Sequence, residues 1–155
     1  MKRKNLLMLL LSVMLSFSCI SVAFASTPDE YIRFYDNSNT RINSNGTFDF
    51  LIRSLLKSDT FTADSDEITI SIAGKVWDSN NNTFLTTSDT FTVTLRTSAG
   101  VKVGKSFTVN CDGKTVSKSF SVTEGKKYYF EISANGNYSG TAKYVKGDGR
   151  VTPIQ

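Results

Sequence analysis

Thr90-Phe91-Thr92-Val93-Thr94-Leu95-Arg96 is the stretch on which the fold turns. In an extended chain Phe91, Val93 and Leu95 leave one face, and Thr90, Thr92, Thr94 and Arg96 leave the other. A helix would scatter the same residues around its axis. The pattern is that of a half-buried strand, and the β-branched threonines suit a pleated, solvated face.

The same period recurs on both sides of this stretch. Glu67–Trp77 places Ile68, Ile70, Ile72 and Val76 on one face. Phe107, Val109 and Cys111 share a parity; Val116, Phe120 and Val122 oppose Ser117, Ser119 and Ser121. Lys127–Ser133 repeats the pattern with Tyr128, Phe130 and Ile132. Lys118 interrupts its apolar row, which predicts a bulge or an edge position. Tyr31–Tyr35 is a short candidate strand with Ile32 and Phe34 inside, and Tyr138–Val145 a weaker one that carries Gly140. Phe48–Lys57 fits a helix face (Phe48, Ile52, Leu55, Leu56) and also a strand (Phe48, Phe50, Ile52); its β neighbours and the opening Asn45-Gly46 favour the strand.

Asn45-Gly46, Asp112-Gly113 and Asn135-Gly136 are hairpin dipeptides, because their residues tolerate positive φ, and Ala99-Gly100 and Glu124-Gly125 mark further breaks. The expected fold is all-β: a single antiparallel β-sandwich, jelly-roll or Ig-like, of about eight or nine strands. Its core would include Ile68, Ile70, Ile72, Phe91, Val93, Leu95, Phe107, Val109, Phe120, Phe130 and Ile132. The only prolines are Pro28 and Pro153, near the two ends, so no Pro-rich linker divides the chain. The expected organisation is a leader over 1–25, the sandwich over 26–150 and a tail over 151–155.

The leader has three parts: basic Lys2-Arg3-Lys4, an apolar run from Leu6 to Phe24, and Ala23-Phe24-Ala25. This is the pattern of a secretory signal peptide, with cleavage expected between Ala25 and Ser26. The mature protein would then be secreted, extracellular and free of any membrane segment. Ser16 stands where a lipobox at Cys19 would need leucine, and Ser12, Ser16, Ser18 and Ser21 weaken the run as an anchor. Cys19 leaves with the leader, so Cys111 is a single free thiol. It is expected to be a small buried hydrophobe, with an intermolecular disulfide as the alternative.

The 155-residue chain has a net charge of +4, yet Lys2, Arg3 and Lys4 supply three of its 18 cations; the remaining 15 face 14 acids. So near-neutral a body lacks the basic face that nucleic-acid binding needs. The chain has no histidine. That excludes Ser-His-Asp and Cys-His hydrolases and the H-E-x-x-H metalloproteases. Ser54-Leu-Leu-Lys57 matches S-x-x-K, but no K-T-G follows and the chain is too short for that enzyme fold. Paired carboxylates support glycoside hydrolysis without histidine. The sequence alone pairs none, and Glu131 falls on a solvated parity.

Two features point to binding. Asp78, Asn80, Asn82 and Asp89 stand at positions 1, 3, 5 and 12 of a loop, the spacing of hard-oxygen ligands for Ca²⁺. Thr83 stands where the sharp bend needs glycine, and the flanks read as strands, so a polar connecting loop is the simpler reading; no other cofactor is implied. Trp77 and Tyr129, with Tyr31 and Tyr35, fall opposite their apolar neighbours, and flat exposed rings can stack on a sugar or a protein. The rows Thr90/Thr92/Thr94 and Ser117/Ser119/Ser121 are hydroxyl ladders of a solvated face.

Phe120-Ser-Val122-Thr-Glu-Gly125-Lys-Lys-Tyr128-Tyr129-Phe130-Glu-Ile132, followed by Gly140-Thr141-Ala142, resembles the closing strands of secreted bacterial jelly-roll modules of the pre-peptidase C-terminal-like and carbohydrate-binding types. The resemblance covers Thr115–Val145 and implies a non-catalytic β-sandwich on or outside the cell wall. The expected function is therefore a secreted or surface-associated binding module for a cell-wall or polysaccharide polymer or a protein. Two alternatives stay open: a structural protein that assembles through edge strands or Cys111, and a small carboxylate-dependent hydrolase. Ligand identity and oligomeric state stay open as well.

Overall fold

The computed structural model describes residues 30–35 and 46–155, and the side chains of 33–35 lie outside that description. The leader, and with it Ala25 and Ser26, also lies outside the described residues. Eleven strands follow in order: β1 Tyr31–Tyr35, β2 Thr47–Ile52, β3 Leu55–Lys57, β4 Phe61–Thr62, β5 Glu67–Asp78, β6 Thr83–Leu85, β7 Thr90–Thr97, β8 Phe107–Asn110, β9 Val116–Ser121, β10 Lys127–Ala134 and β11 Lys143–Thr152. No helix occurs among the described residues. The excess over eight or nine comes from short pieces such as β3, β4 and β6, which show too few residues for alternation to be read.

All pairings between strands are antiparallel, in two sheets. One runs β1-β2-β11-β5-β6, with β9 beside the other half of β5; the other runs β3-β10-β7-β8, with β4 beside β10. We call them sheet A and sheet B. Phe48, Phe50, Ile68, Ile70, Ile72 and Val76 of sheet A and Phe91, Val93, Leu95, Phe130 and Ile132 of sheet B are all buried in one core. Phe48 meets Phe130 at 4.8 Å between ring centroids, and Phe50 meets Phe91 at 5.5 Å, so the sheets interlock through aromatic pairs. Of the expected core, only Phe107 is half-buried, packed at the edge against Phe120.

The chain crosses between the sheets repeatedly, and this changes the reading of the turn dipeptides. Asp112-Gly113 connects β8 of sheet B to β9 of sheet A, and Asn135-Gly136 connects β10 to β11 across the same gap. Asn45-Gly46 is not a two-residue hairpin either, since Tyr35 pairs with Thr47 across 36–46. A tight reversal needs the same permissive residues whether it pairs neighbours or arches between layers. Ala99-Gly100 does close a hairpin: Gly100 N–H donates to Thr97 O and Thr97 N–H to Val101 O.

The end of the chain departs most from expectation. Strand β11 begins at Lys143, so Tyr138–Ala142, Gly140 included, is a turn rather than a strand. It continues to Thr152, the boundary at residue 150 falls inside it, and Ile154 is buried against Ala63 of the opposite layer. Lys118 lies, as expected, on an edge strand, its ammonium 5.6 Å from the Phe120 ring.

Candidate functional site

The outer face of sheet A carries the site. On β5, Ala73, Lys75 and Trp77 alternate with the core residues and face outward. The ladder pairs Trp77 with Tyr144 on one side and with Phe84 on the other, so three aromatic residues form one row across β11, β5 and β6. Trp77 and Tyr144 rings lie 5.9 Å apart. The Arg53 guanidinium, just beyond β2, covers the Tyr144 ring at 4.3 Å and donates a hydrogen bond to its hydroxyl. Tyr144 is thereby buried, whereas Phe84 is 52% exposed and Trp77 half-exposed.

Beside this row runs a groove of about 380 Å³, lined by Asp49, Ala73, Lys75, Phe84, Lys146 and Asp148 and by the backbone at Gly74, Gly113 and Gly147. That volume lies within the range of small-ligand clefts. A smaller hollow of about 140 Å³ shares Lys75 and Phe84 with it and continues over Leu85, Thr86 and Thr87 to Cys111 and Asp112. Small Ala73 leaves the floor low, and the Lys146 ammonium leans to 4.8 Å from the Trp77 ring. The lower part of the same face is a field of hydroxyls, with Thr69 bonded to Ser119 and Ser71 to Ser117, each at 2.8 Å.

Trp77 and Tyr129 do not form one site. Tyr129 lies on β10 and faces outward from sheet B, across the sandwich, with Lys57 5.7 Å from its ring. Its neighbour Glu131 has the expected outward parity but is not solvated: it is 8% exposed. Arg96 donates to it at 2.6 Å, and Lys57 stands at 3.7 Å. Two cations on adjacent strands cover the carboxylate, a cross-strand relation that one strand's alternation does not reveal.

The Asp78–Asp89 stretch is not one loop: it holds a hairpin turn between β5 and β6, then β6 itself and the connection to β7. Asp78 and Thr83 close the turn as a ladder pair, and the Asp78 carboxylate accepts from Asn80 N–H at 3.0 Å and from the Asn81 amide at 2.8 Å. The Asn81 side-chain bond, helped by backbone bonds from Asn80 and Asn81 and by the Lys143 charge, holds the Asp78 pKa below its ordinary value against the cost of desolvation. Asn82 takes φ 49° within the turn. Asp89 belongs to the start of the β7 region, where its carbonyl accepts from Cys111 N–H. Among the described residues no three His, Cys, Asp or Glu side chains converge as a metal-binding group.

Cys111 is a buried free thiol. Burial, then the charges of Asp89 and Asp112, pushes its pKa to about 11. Tyr138 is buried beside it, and burial followed by the Asp89 carboxylate raises the phenol's pKa as well; the hydroxyl nears Asp89 without closing a hydrogen bond of good geometry.

Sequence patterning singled out Trp77, in the row beside the groove, and none of the residues that line it. Phe84 was within reach, because a turn closed by Asp78 and Thr83 sets residue 77 opposite residue 84. Lys75, Lys146, Asp49 and Asp148 carried no signal, since charged residues on a polar face are ordinary in any strand.

No protein-family profile and no curated protein matches the chain. Among solved structures it is similar to TmCBM61 in complex with beta-1,4-galactotriose, with a TM-score of 0.41 and 10% identity over 79% of this chain and 81% of that one. The C-terminal domain of EclA, a sugar-binding protein, gives a TM-score of 0.36 at 15% identity over 81% and 79%. The CBM22-1 xylan-binding domain of Xyn10C from Paenibacillus barcinonensis gives 0.33 at 13% identity over 81% and 80%. Among the described residues no helix is long and apolar enough to cross a membrane.

Proposed function

We propose that this protein is a non-catalytic, exported β-sandwich module that binds an extended polysaccharide in the groove across sheet A. The observation that carries the reading is the row Tyr144–Trp77–Phe84 beside a charged groove. A pyranose ring offers an apolar face and a rim of hydroxyls. Exposed Phe84 and Trp77 suit the face, and Asp49, Asp148, Lys75 and Lys146 suit the rim. The basic-apolar-small pattern of 1–25 supports export.

Retention on insoluble polysaccharides, followed by affinity electrophoresis in soluble ones, tests this. Trp77→Ala and Phe84→Ala should each weaken retention at least tenfold, while Tyr129→Ala on the opposite face leaves it unchanged. Retention that survives both groove substitutions removes the reading.

One observation favours a second reading, carboxylate-dependent hydrolysis: Asp49 and Asp148 are directly paired and line the groove. They stand side by side on adjacent strands, whereas glycosidase carboxylates flank the scissile bond from two sides. We expect no reducing ends to be released from any polymer the protein retains; release abolished by Asp148→Asn would establish the hydrolase instead.

A further inference from the structure

The groove meets a second cavity at the edge of sheet A. It shares Lys75 and Phe84 with the hollow of about 140 Å³, so these two side chains form the divide between them. Phe84 sits on the three-residue β6, belongs to neither the core nor its fringe, and is 52% exposed. The Lys75 stem fills the space that a β-carbon on Gly113 would take, in the notch between β6 and β9. Beyond this divide the hollow is the more enclosed of the two. Cys111, the most buried residue lining it, is 2% exposed, and Leu85 packs against the core. At about 30 Å³ per water the hollow holds about five waters, room for one sugar unit and not for a run of them. Its polar groups keep hydrogen-bonding capacity. Asp112 Oδ1 accepts from Lys114 N–H at 2.9 Å, but Oδ2 meets only the exposed Lys114 ammonium, at 3.7 Å. Thr87 Oγ accepts from Asp89 N–H at 3.2 Å and keeps its own O–H to donate. Thr86 stands exposed at the rim.

We propose that the hollow is a subsite for a terminal sugar unit, a chain end or a one-unit branch; this rests on the polysaccharide reading above. A cavity closed at its base admits a unit held by one linkage and stops a unit that must leave by a second. An interior unit of a linear chain has two linkages and follows the groove instead. The chain crosses from groove to hollow at Phe84, whose ring is apolar and borders both. Past it, the free hydroxyls of a terminal unit outnumber those of an interior one. They donate to the Asp112 carboxylate, which accepts only, and exchange bonds with the Thr86 and Thr87 hydroxyls, which both donate and accept.

Amide-resolved NMR titration of the intact protein with a panel of free monosaccharides tests this, because a free monosaccharide is a terminal unit by itself. At least one sugar should shift Thr86, Thr87 and Asp112 at millimolar concentration, and the shifts should persist in Trp77→Ala. Calorimetry with ligands that carry that sugar then separates the two sources. If it enters as a branch, a branched polymer should bind tenfold or more tightly than the same polymer after debranching. If it enters as a chain end, short oligosaccharides should bind as tightly as the long polymer, with one protein to each chain. Thr86→Met, which fills the rim without adding a ring, and Asp112→Asn, which keeps the acceptor for Lys114 N–H, should each reduce the monosaccharide affinity and that preference at least threefold. Monosaccharides that shift only groove residues such as Ala73 and Asp148, or indifference to both substitutions, overturn the proposal. Binding of linear chain interiors alone, many proteins to a chain and lost in Trp77→Ala, overturns it and leaves polysaccharide binding intact. Binding of no sugar and no polymer removes both.

Discussion

Cys111 and Glu131 show how little a residue's type says about its reactivity. The Cys111 thiol is 2% exposed and its pKa is pushed to about 11, so the thiolate that attacks reagents is scarce at neutral pH. We expect no reaction with Ellman's reagent at pH 8 in the folded state and one thiol per mature chain after unfolding. Ready labelling, or a disulfide dimer in air, contradicts this. The same shift links stability to pH. Its contribution is fully present below the unfolded value of 9.0 and is lost as pH rises through about 11, where the folded thiol also ionises. Urea midpoints should therefore fall between those limits in the parent and fall less in Cys111→Ala. Glu131 makes the complementary case. Its carboxylate is buried only because Arg96 and Lys57 reach it. Arg96→Ala leaves Glu131 against a single, more exposed cation and should cost about 2 kcal/mol in urea unfolding. Arg96→Lys recovers part of this, since an ammonium cannot reproduce the guanidinium fork. A loss under about 0.5 kcal/mol, the range of ordinary surface changes, rejects the role.

Strand β11 explains what the sequence concealed at the level of elements. Strands β5, β7 and β10 were legible because most of their inward residues are Ile, Val, Leu and Phe in alternation, with Gly74 and Tyr128 as the exceptions in β5 and β10. The middle of β11 reads Lys146-Gly147-Asp148-Gly149-Arg150, with no apolar residue at all. Its inward positions are glycines because the Phe50 and Phe48 rings of β2 already fill the space above them. A β-carbon on Gly147 would lie 2.6 Å from Phe50 Cζ and 2.1 Å from the Ala73 carbonyl oxygen; one on Gly149 would lie 2.5 Å from Phe48 Cζ. The apolar content of this strand is thus supplied by its neighbour, and single-strand alternation has no access to that. The groove was hidden for a related reason. Its lysine and aspartate pairs exist only across strands, so parity could propose only Trp77, in the row beside it. Gly147→Ala should cost about 3 kcal/mol or more, because backbone as well as a ring must move. A lowered urea midpoint at unchanged slope would record it. A variant as stable as the parent would mean that β2 and β11 can separate freely.

For the whole molecule, the chain's alternation between the two sheets divides labour between the outer faces. Sheet A gathers the aromatic row, the charged groove and the hydroxyl field. Sheet B carries the Arg96–Glu131–Lys57 cluster and Tyr129. One core serves both, so the groove's geometry depends on how firmly β11, which supplies Tyr144, Lys146 and Asp148, is tied to the opposite layer. The last residues make that tie. Ile154 is 8% exposed and bridges Ala63; Gln155 N–H donates to Thr62 O at 3.0 Å, and Asp64 N–H donates to Pro153 O at 3.3 Å. These bonds join the strand that crosses sheet A to the β4 region of sheet B, at the end of the sandwich away from Trp77. Ile154→Ala removes a buried side chain and should cost about 2–3 kcal/mol. Deleting 153–155 should cost at least as much, since the backbone bonds to Thr62 and Asp64 go too. The loss should extend beyond the end itself: amide exchange should accelerate along β11 as far as Lys146, through the groove residues Asp148 and Gly147. If exchange rises only at Thr62–Asp64 and stability is unchanged, the final residues merely cap the fold, and the groove is held by the ladder of sheet A alone.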